Sequence, residues 1–460
     1  MDVKMLSADQ LREVRKYKAL NERVGIVDAG GARRLGVVVK QNPAHFQSMM
    51  GKRYVRALSE IEETDGCHCL LCDKKAVVGD TFCMECGMLD LEKLESEKRR
   101  RPDIPESEYL KESYKKFTGK INEMTGEKDG VQFRFRDLFS AVFRHHTHEE
   151  AEEIFIAGTS LTTPKTEEIS QEWPKPWLYS RVLLYILAAY ALLWVFVGQM
   201  GNSKGYPGLM FVGALSVPFS VVIFFWELNI PRNISLVEVV KVFLIGGILS
   251  LLCTMTIDSW LGVGELDFTG AMLTGFAEET AKAIALMLFL RKPKYQYILN
   301  GLLLGAAVGA GFAVFETAGY AFDIFQQVGK INRVTSAFWG YRVDELSKVV
   351  DNLTRRGILA VGGHVAWTAF VGAGMMVVKK NQSLERQHIS DPRFLKFLLI
   401  AIVLHGLWDS SPLIERMPSV FGFSSLYLIL VVLIWVILLV VIGAGLRQAT
   451  RMANEAMKNA

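Results

Sequence analysis

From about residue 176 onward the sequence is a succession of apolar runs, each of the length a bilayer-crossing helix requires, roughly 20 residues. No other feature restricts the fold as strongly. Inside hydrocarbon every backbone donor and acceptor must be satisfied by the chain itself, and a helix does this within one segment. The runs fall at 178–198, 207–227, 236–257, 268–290, 297–322, 356–378, 395–414 and 424–446. They predict an all-α polytopic membrane bundle of about eight transmembrane helices. Residues 1 to about 170 are polar and charge-rich, long enough for a soluble domain of ordinary size ahead of the bundle.

Charge in the connections orients the bundle. The links "RKPKYQY" (291–297) and "KKNQSLERQHISDPRFLK" (379–396) are strongly basic, and the tail carries Arg447, Arg451 and Lys458. With eight crossings all three lie on the side of the N-terminus. The 258–267 link has no Lys or Arg and lies on the other side. The positive-inside rule then puts both termini in the cytoplasm of a cell inner (plasma) membrane protein. Met1 to Gln10 leads into charged sequence with no apolar stretch of signal-peptide type. The net charge of +4 is small for 460 residues, so no nucleic-acid partner is expected. The 323–355 link is mixed in charge, and "DELSKVVDNL" within it predicts an outer-surface helix.

Five of the six cysteines lie between Cys67 and Cys86. Cys69-x2-Cys72 and Cys83-x2-Cys86 have the paired spacing of a small zinc ribbon, in which four thiolates close a tetrahedral site. The zinc is expected to be structural, holding together a region too small for its own core. Gly79-Asp80 and Gly87 suit the turns, with Cys67 and His68 as alternative ligands. The expected organisation is 1–66 as an N-terminal soluble segment, 67–90 as the ribbon and 91–175 as a helical cytosolic region and linker. The transmembrane domain follows over 176–446, then a cytosolic tail over 447–460. Within 88–126 a helix, a breaker and a second helix are expected, and Phe135, Leu138, Phe139, Val142 and Phe143 recur at helical spacing. His145, His146 and His148 beside Glu149 and Glu150 read as a helix junction capped by Thr147 rather than a metal cluster.

Ionisable residues in membrane segments are rare and functional by default. Here they are Glu278, Glu279 and Lys282 on the fourth helix, Glu316 on the fifth, His364 on the sixth, and His405 and Asp409 on the seventh. Lys282 stands i+4 from Glu278 and i+3 from Glu279, and adjacent glutamates point about 100° apart. One glutamate is therefore expected to be pinned by Lys282 while the other faces a cavity. Gly305, Gly309, Phe312 and Glu316 form one stripe, and Gly357, Val361, His364, Thr368 and Gly372 another, where small residues admit close neighbours. In the predicted orientation all these polar groups lie between mid-membrane and the outer end, as a shared site requires. Such a set suits peptide hydrolysis, with a desolvated glutamate as base and a histidine as water-orienter or donor. Glu and His could instead hold a catalytic zinc, although no HExxH is present.

The sequence at these residues resembles the PrsW family of intramembrane proteases, relatives of the CAAX prenyl endopeptidase and bacteriocin-processing membrane proteins. The resemblance rests on Glu278-Glu279-Thr280-Ala281-Lys282, Phe312-x3-Glu316, His364 in "GGHVAWTAFVGAG" and His405-x3-Asp409, and covers about residues 205–445. It implies an endopeptidase that cuts a membrane-anchored protein, such as an anti-sigma factor, near the outer face. Glu278 or Glu279 would activate water, and Glu316, His364, His405 and Asp409 would complete the site. A glutamic-type mechanism is preferred over a metal-dependent one, with a catalytic metal left open. The ribbon lies outside the resemblance and offers a docking point for a cytosolic protein partner. The alternatives are a transporter or ion pathway using the intramembrane carboxylates, and a catalytically silent sensor or scaffold of the same fold.

Overall fold

The computed structural model describes the backbone of residues 4–6, 23–27, 33–38, 88–90, 106–126 and 135–459, the last without 160, 171, 263 and 340–342. The chain divides into two compact units, Met1–Tyr114 and Lys115–Ala460. The expected zinc ligands Cys69, Cys72, Cys83 and Cys86 lie outside the described residues.

The first unit contains a four-stranded sheet of β1 (Lys4–Leu6), β2 (Arg23–Val27), β3 (Arg33–Val38) and β4 (Met88–Asp90), in that order. The β1–β2 pair is parallel and the other two are antiparallel, with Val24 opposite Gly36 and Val37 opposite Leu89. The β-branched runs "RVGIV" and "RRLGVV" suit a pleated ladder. Met88–Asp90 is thus a strand where a helix is expected from the leucine spacing. Helix α1 (Glu106–Thr125) is the second expected helix of that region.

The second unit is helical. Phe135–Leu138 is a single 3-10 turn, not the longer helix its phenylalanine spacing predicts. Thr147 caps α2 (His148–Phe155) by accepting from the Glu150 N–H at 3.2 Å, as expected of the histidine junction. His146 pairs through Nδ1 with Glu150 Oε2 at 2.8 Å and stacks on Trp177, centroids 3.7 Å apart. The long helices then follow: α3 (Leu178–Gly198), α4 (Tyr206–Leu228), α5 (Leu236–Lys241) running through a π-turn (Val242–Gly246) into α6 (Gly247–Leu261), and α7 (Phe268–Leu290). Next come α8 (Ile298–Trp339), α9 (Glu345–Leu359), α10 (His364–Lys379), the short α11 (Arg386–Ile389) and α12 (Pro392–Asp409). A turn of helix, α13 (Ser411–Arg416), and a hairpin of β5 (Ser419–Val420) and β6 (Phe423–Ser424) lead into α14 (Ser425–Asn459).

Among the described residues six helices are long and apolar enough to cross a membrane, which makes this a multi-pass helical membrane protein. They are Leu178–Gly198, Ser203–Leu228, Leu236–Leu261, Ile298–Thr335, Glu345–Lys379 and Ser425–Asn459. Helices α7 and α12 fall short because each carries three charged residues, Glu278, Glu279 and Lys282 on one and Arg393, Lys396 and Asp409 on the other.

Three boundaries differ from the sequence expectation. The fifth helix continues past 322 to Trp339, because 323–339 is polar but contains no proline to stop it. The last helix runs through the expected tail to Asn459 for the same reason. The sixth helix does not begin at 356. Amphipathic α9 ends at Leu359, a 3-10 turn spans Ala360–Gly362, and Gly363 leaves the helical region at φ −95°, ψ −140°. His364 is therefore the first residue of α10, not a residue two turns inside it, and Gly357 and Val361 are not on its stripe.

Helix α8 is the central strut. Its glycine stripe lies on the backbone of α10: a Cβ at Gly305 would stand 2.3 Å from Thr368 O, and one at Gly309 2.3 Å from His364 O. In a membrane, where apolar burial drives little association, such close van der Waals contact holds helices together. At its other end α10 is pinned by Lys379, fully buried, whose Nζ donates to Tyr295 O at 2.8 Å. Both ends of the helix that carries His364 are thus fixed against α8 and the turn before it.

Candidate active site

Four helices converge on one polar cluster. Gly275 lets α7 approach α12, since a Cβ there would meet Ile402 O at 2.8 Å. That contact presents Glu278, Glu279 and Lys282 to His405 and Asp409. The α8–α10 contact presents Glu316 to His364.

Lys282 is completely buried and lies at the centre. Its Nζ is 2.8 Å from Glu279 Oε1 and 3.2 Å from Glu278 Oε2. It also donates to His364 Nδ1 at 2.9 Å and rests 4.2 Å from the centre of the Phe312 ring. The expectation that it holds one glutamate is corrected: it touches both. The two carboxylates still differ in aspect. Glu279 is fully buried, while Glu278 lines a cavity of about 500 Å³.

Hydrogen-bond partners set both imidazole tautomers. Lys282 donates to His364 Nδ1, so that ring's proton is on Nε2, which faces Glu316 Oε2 at 3.2 Å. Glu279 Oε1 accepts from His405 Nδ1 at 2.8 Å. The remaining nitrogen, His405 Nε2, faces Asp409 Oδ2 at 3.1 Å and Glu278 Oε2 at 3.7 Å. A ring nitrogen between two carboxylate oxygens needs either a second proton or a shared cation. Aromatic rings fix the planes: Trp367 stacks on His405 at 4.6 Å, and Phe312 meets His364 edge-on at 5.0 Å.

Several contributors are not visible in the sequence pattern. Arg356, from the last turn of α9, donates through Nη2 to Glu316 Oε2 and through Nε to Thr317 Oγ1 at 2.9 Å. Its guanidinium lies 4.6 Å from the centre of the Tyr320 ring. Trp367, Trp408 and Tyr427 complete the cavity wall. The one available signal for Arg356 is electrostatic: Glu316 on α8 has no basic residue within a turn of its own helix.

The charge balance of the cluster is informative. Glu278, Glu279, Glu316 and Asp409 are four carboxylates, and Lys282 and Arg356 are two cations. With neutral histidines the cluster lacks two positive charges, which is costly away from water. The donor set suits a divalent cation. One ligand atom each from Glu278, His364 and His405 lie within 4.8 Å of one another. The second nitrogen of each imidazole is engaged by a further carboxylate, the usual arrangement around metal-ligating histidines. All six expected site residues are therefore in one cluster.

No curated protein and no solved structure matches the chain. Residues 235–442, which contain the whole cluster, match a family model described as PrsW family intramembrane metalloprotease.

Proposed function

We propose that the protein hydrolyses a peptide bond of a membrane-anchored protein in the cavity above Glu278, with a divalent metal held by Glu278, His364 and His405. One observation carries this: three ligand atoms within 4.8 Å, in a buried cluster of four carboxylates and two fixed cations. A cation bound there supplies Lewis acidity, polarising the scissile carbonyl and acidifying a water. Glu279 accepts the Nδ1 proton of His405 and leaves Nε2 facing the cavity. Glu316 does the same for His364 through Nε2. Asp409 is the most accessible of the four carboxylates, with a quarter of its side chain exposed. It takes a proton from the attacking water as oxygen bonds to the carbonyl carbon. It then returns that proton to the amide nitrogen as the C–N bond breaks.

In this reading α7 and α12 also cross the membrane. The basic 291–297 and 379–396 links then put both termini in the cytoplasm and the cavity toward the outer face. A single-pass protein such as an anti-sigma factor fits a site of that depth. The cysteine pairs at 69–86 form a structural zinc ribbon in the cytosolic unit.

One observation favours a second, metal-free reading. Lys282 already donates to Glu278 Oε2 and lies against His364 Nδ1, two of the three ligand atoms. Glu278 would then act alone as the base. The test is metal content and cleavage of a single-pass substrate in proteoliposomes, with full-length protein. The metal reading expects His405→Ala to lose one metal equivalent relative to wild type, along with cleavage. An unchanged metal content in His405→Ala and Glu278→Gln, or full cleavage by metal-stripped protein, overturns it.

A further inference from the structure

Arg356 stands outside the recurring motifs and on a different helix from every other charged group of the cluster. It is the last-turn residue of α9, an amphipathic helix that packs on α4 and α8 beside the site. Its contacts are directional. The Nη2 group donates to Glu316 Oε2, Nε donates to Thr317 Oγ1 at 2.9 Å, and the guanidinium plane lies over Tyr320 at 4.6 Å. Glu316 Oε2 is also the oxygen that faces His364 Nε2 at 3.2 Å. The order Arg356, Glu316, His364 is therefore a continuous chain of hydrogen bonds running from α9 through α8 to the first residue of α10.

From this geometry we infer that Arg356 is a positioning residue for the metal site. By fixing Glu316 it keeps the His364 proton on Nε2 and the ring in the plane that turns Nδ1 toward Glu278, which lies 3.8 Å away. The inference rests on the metal reading above. Two features separate this role from general packing. Arg356 touches none of the three ligand side chains, so its effect must pass through Glu316. Its two-point grip on Glu316 and Thr317 also requires the planar fork of arginine, which the single ammonium of lysine cannot reproduce.

The experiment measures Co²⁺ and Zn²⁺ affinity of detergent-solubilised full-length protein, with His405→Ala as the reference for binding at the ribbon alone. Outer hydrogen-bond partners of metal-ligating histidines change affinity by about 10–100-fold. Arg356→Gln is expected to weaken the second metal equivalent by that factor. In a Glu316→Gln background the same change is expected to add less than about twofold, because the path is already cut. Arg356→Lys, which retains the charge and the fold, is expected to lose at least about threefold. Wild-type affinity in Arg356→Gln or Arg356→Lys overturns the inference, as does a full additional loss in the Glu316→Gln background. If His405→Ala itself retains the second equivalent, it is the metal reading that fails.

Discussion

The α8–α10 contact makes Gly309 a sensitive position for the site, because the backbone it meets is that of His364. A Cβ at that position would stand 2.3 Å from His364 O and 2.9 Å from His364 C, both backbone atoms that no rotamer change can move. Cβ contacts shorter than 3.0 Å are essentially never found. Gly309→Ala therefore requires α10 to retreat by at least 0.7 Å, the difference between 2.3 and 3.0 Å. If His364 moves with it, its 2.9 Å contact with Lys282 opens to about 3.6 Å, beyond hydrogen-bond range. Overpacking of this kind costs about 1–3 kcal/mol of stability. A displacement near 1 Å in a catalytic constellation costs about 100-fold in rate. Gly319 on the same helix is the control, since a Cβ there meets nothing within 4 Å. Gly319→Ala is expected to retain activity and to gain up to about 1 kcal/mol from helix propensity. The assay is cleavage of a single-pass substrate in proteoliposomes, with thermal unfolding followed by tryptophan fluorescence. A Gly309→Ala protein that cleaves within about threefold of wild type refutes the argument that α8 positions His364 through this contact.

Two further outcomes concern regions away from the cluster. Glu227 accepts the N–H groups of Trp177, Leu178 and Tyr179 at 2.7, 2.9 and 2.9 Å, capping the first long helix. Glu227→Ala leaves those donors unsatisfied at about 1–3 kcal/mol each, and limited proteolysis should show faster cutting within 159–177. Tyr295, in the 291–297 turn, is buried and donates to Glu238 Oε1 at 2.9 Å. Burial first, and that hydrogen bond second, push its phenol well above the ordinary tyrosine range. A raised folded-state pKa gives stability that is complete below the unfolded value of about 10 and is lost as pH rises through the folded value. Tyr295→Phe should therefore be less stable than wild type at neutral pH, and the deficit should shrink as the solution becomes strongly alkaline in thermal melts. A deficit independent of pH contradicts this.

Apolar run length gave the positions of the long helices, and the ionisable residues within those runs gave the cluster. Both follow from the cost of charge in hydrocarbon, which leaves few explanations for Glu278 or His405 in such a segment. Stops marked by backbone geometry were less legible. The break before His364 rests on Gly362 and Gly363 among apolar neighbours, where hydropathy does not change. The extensions past 322 and 446 rest on polar residues that favour helix as well as loop. Arg356 escaped notice because its partner lies 40 residues away on another helix, a pairing that neither spacing nor composition encodes. The Lys282 contact to both glutamates was hidden for a related reason: helix spacing permits either pairing, and only the placement of His364 and Phe312 brings the amine between them.

The late start of α10 also bears on how the proposed hydrolysis would obtain its second reactant. With 16 residues and a rise of about 1.5 Å each, this helix is about 24 Å long, against a hydrocarbon layer of about 30 Å. At the His364 end the span is continued by the 3-10 turn and α9, where Leu359, Ala360 and Gly363 line the cavity with Arg355 and Arg356. This interruption of the helix places two guanidinium groups in the cavity wall, where they favour water over lipid tails. Each peptide bond cut in the proposed reaction would consume one molecule of water, so turnover would depend on refilling this cavity with water as well as on capturing a substrate.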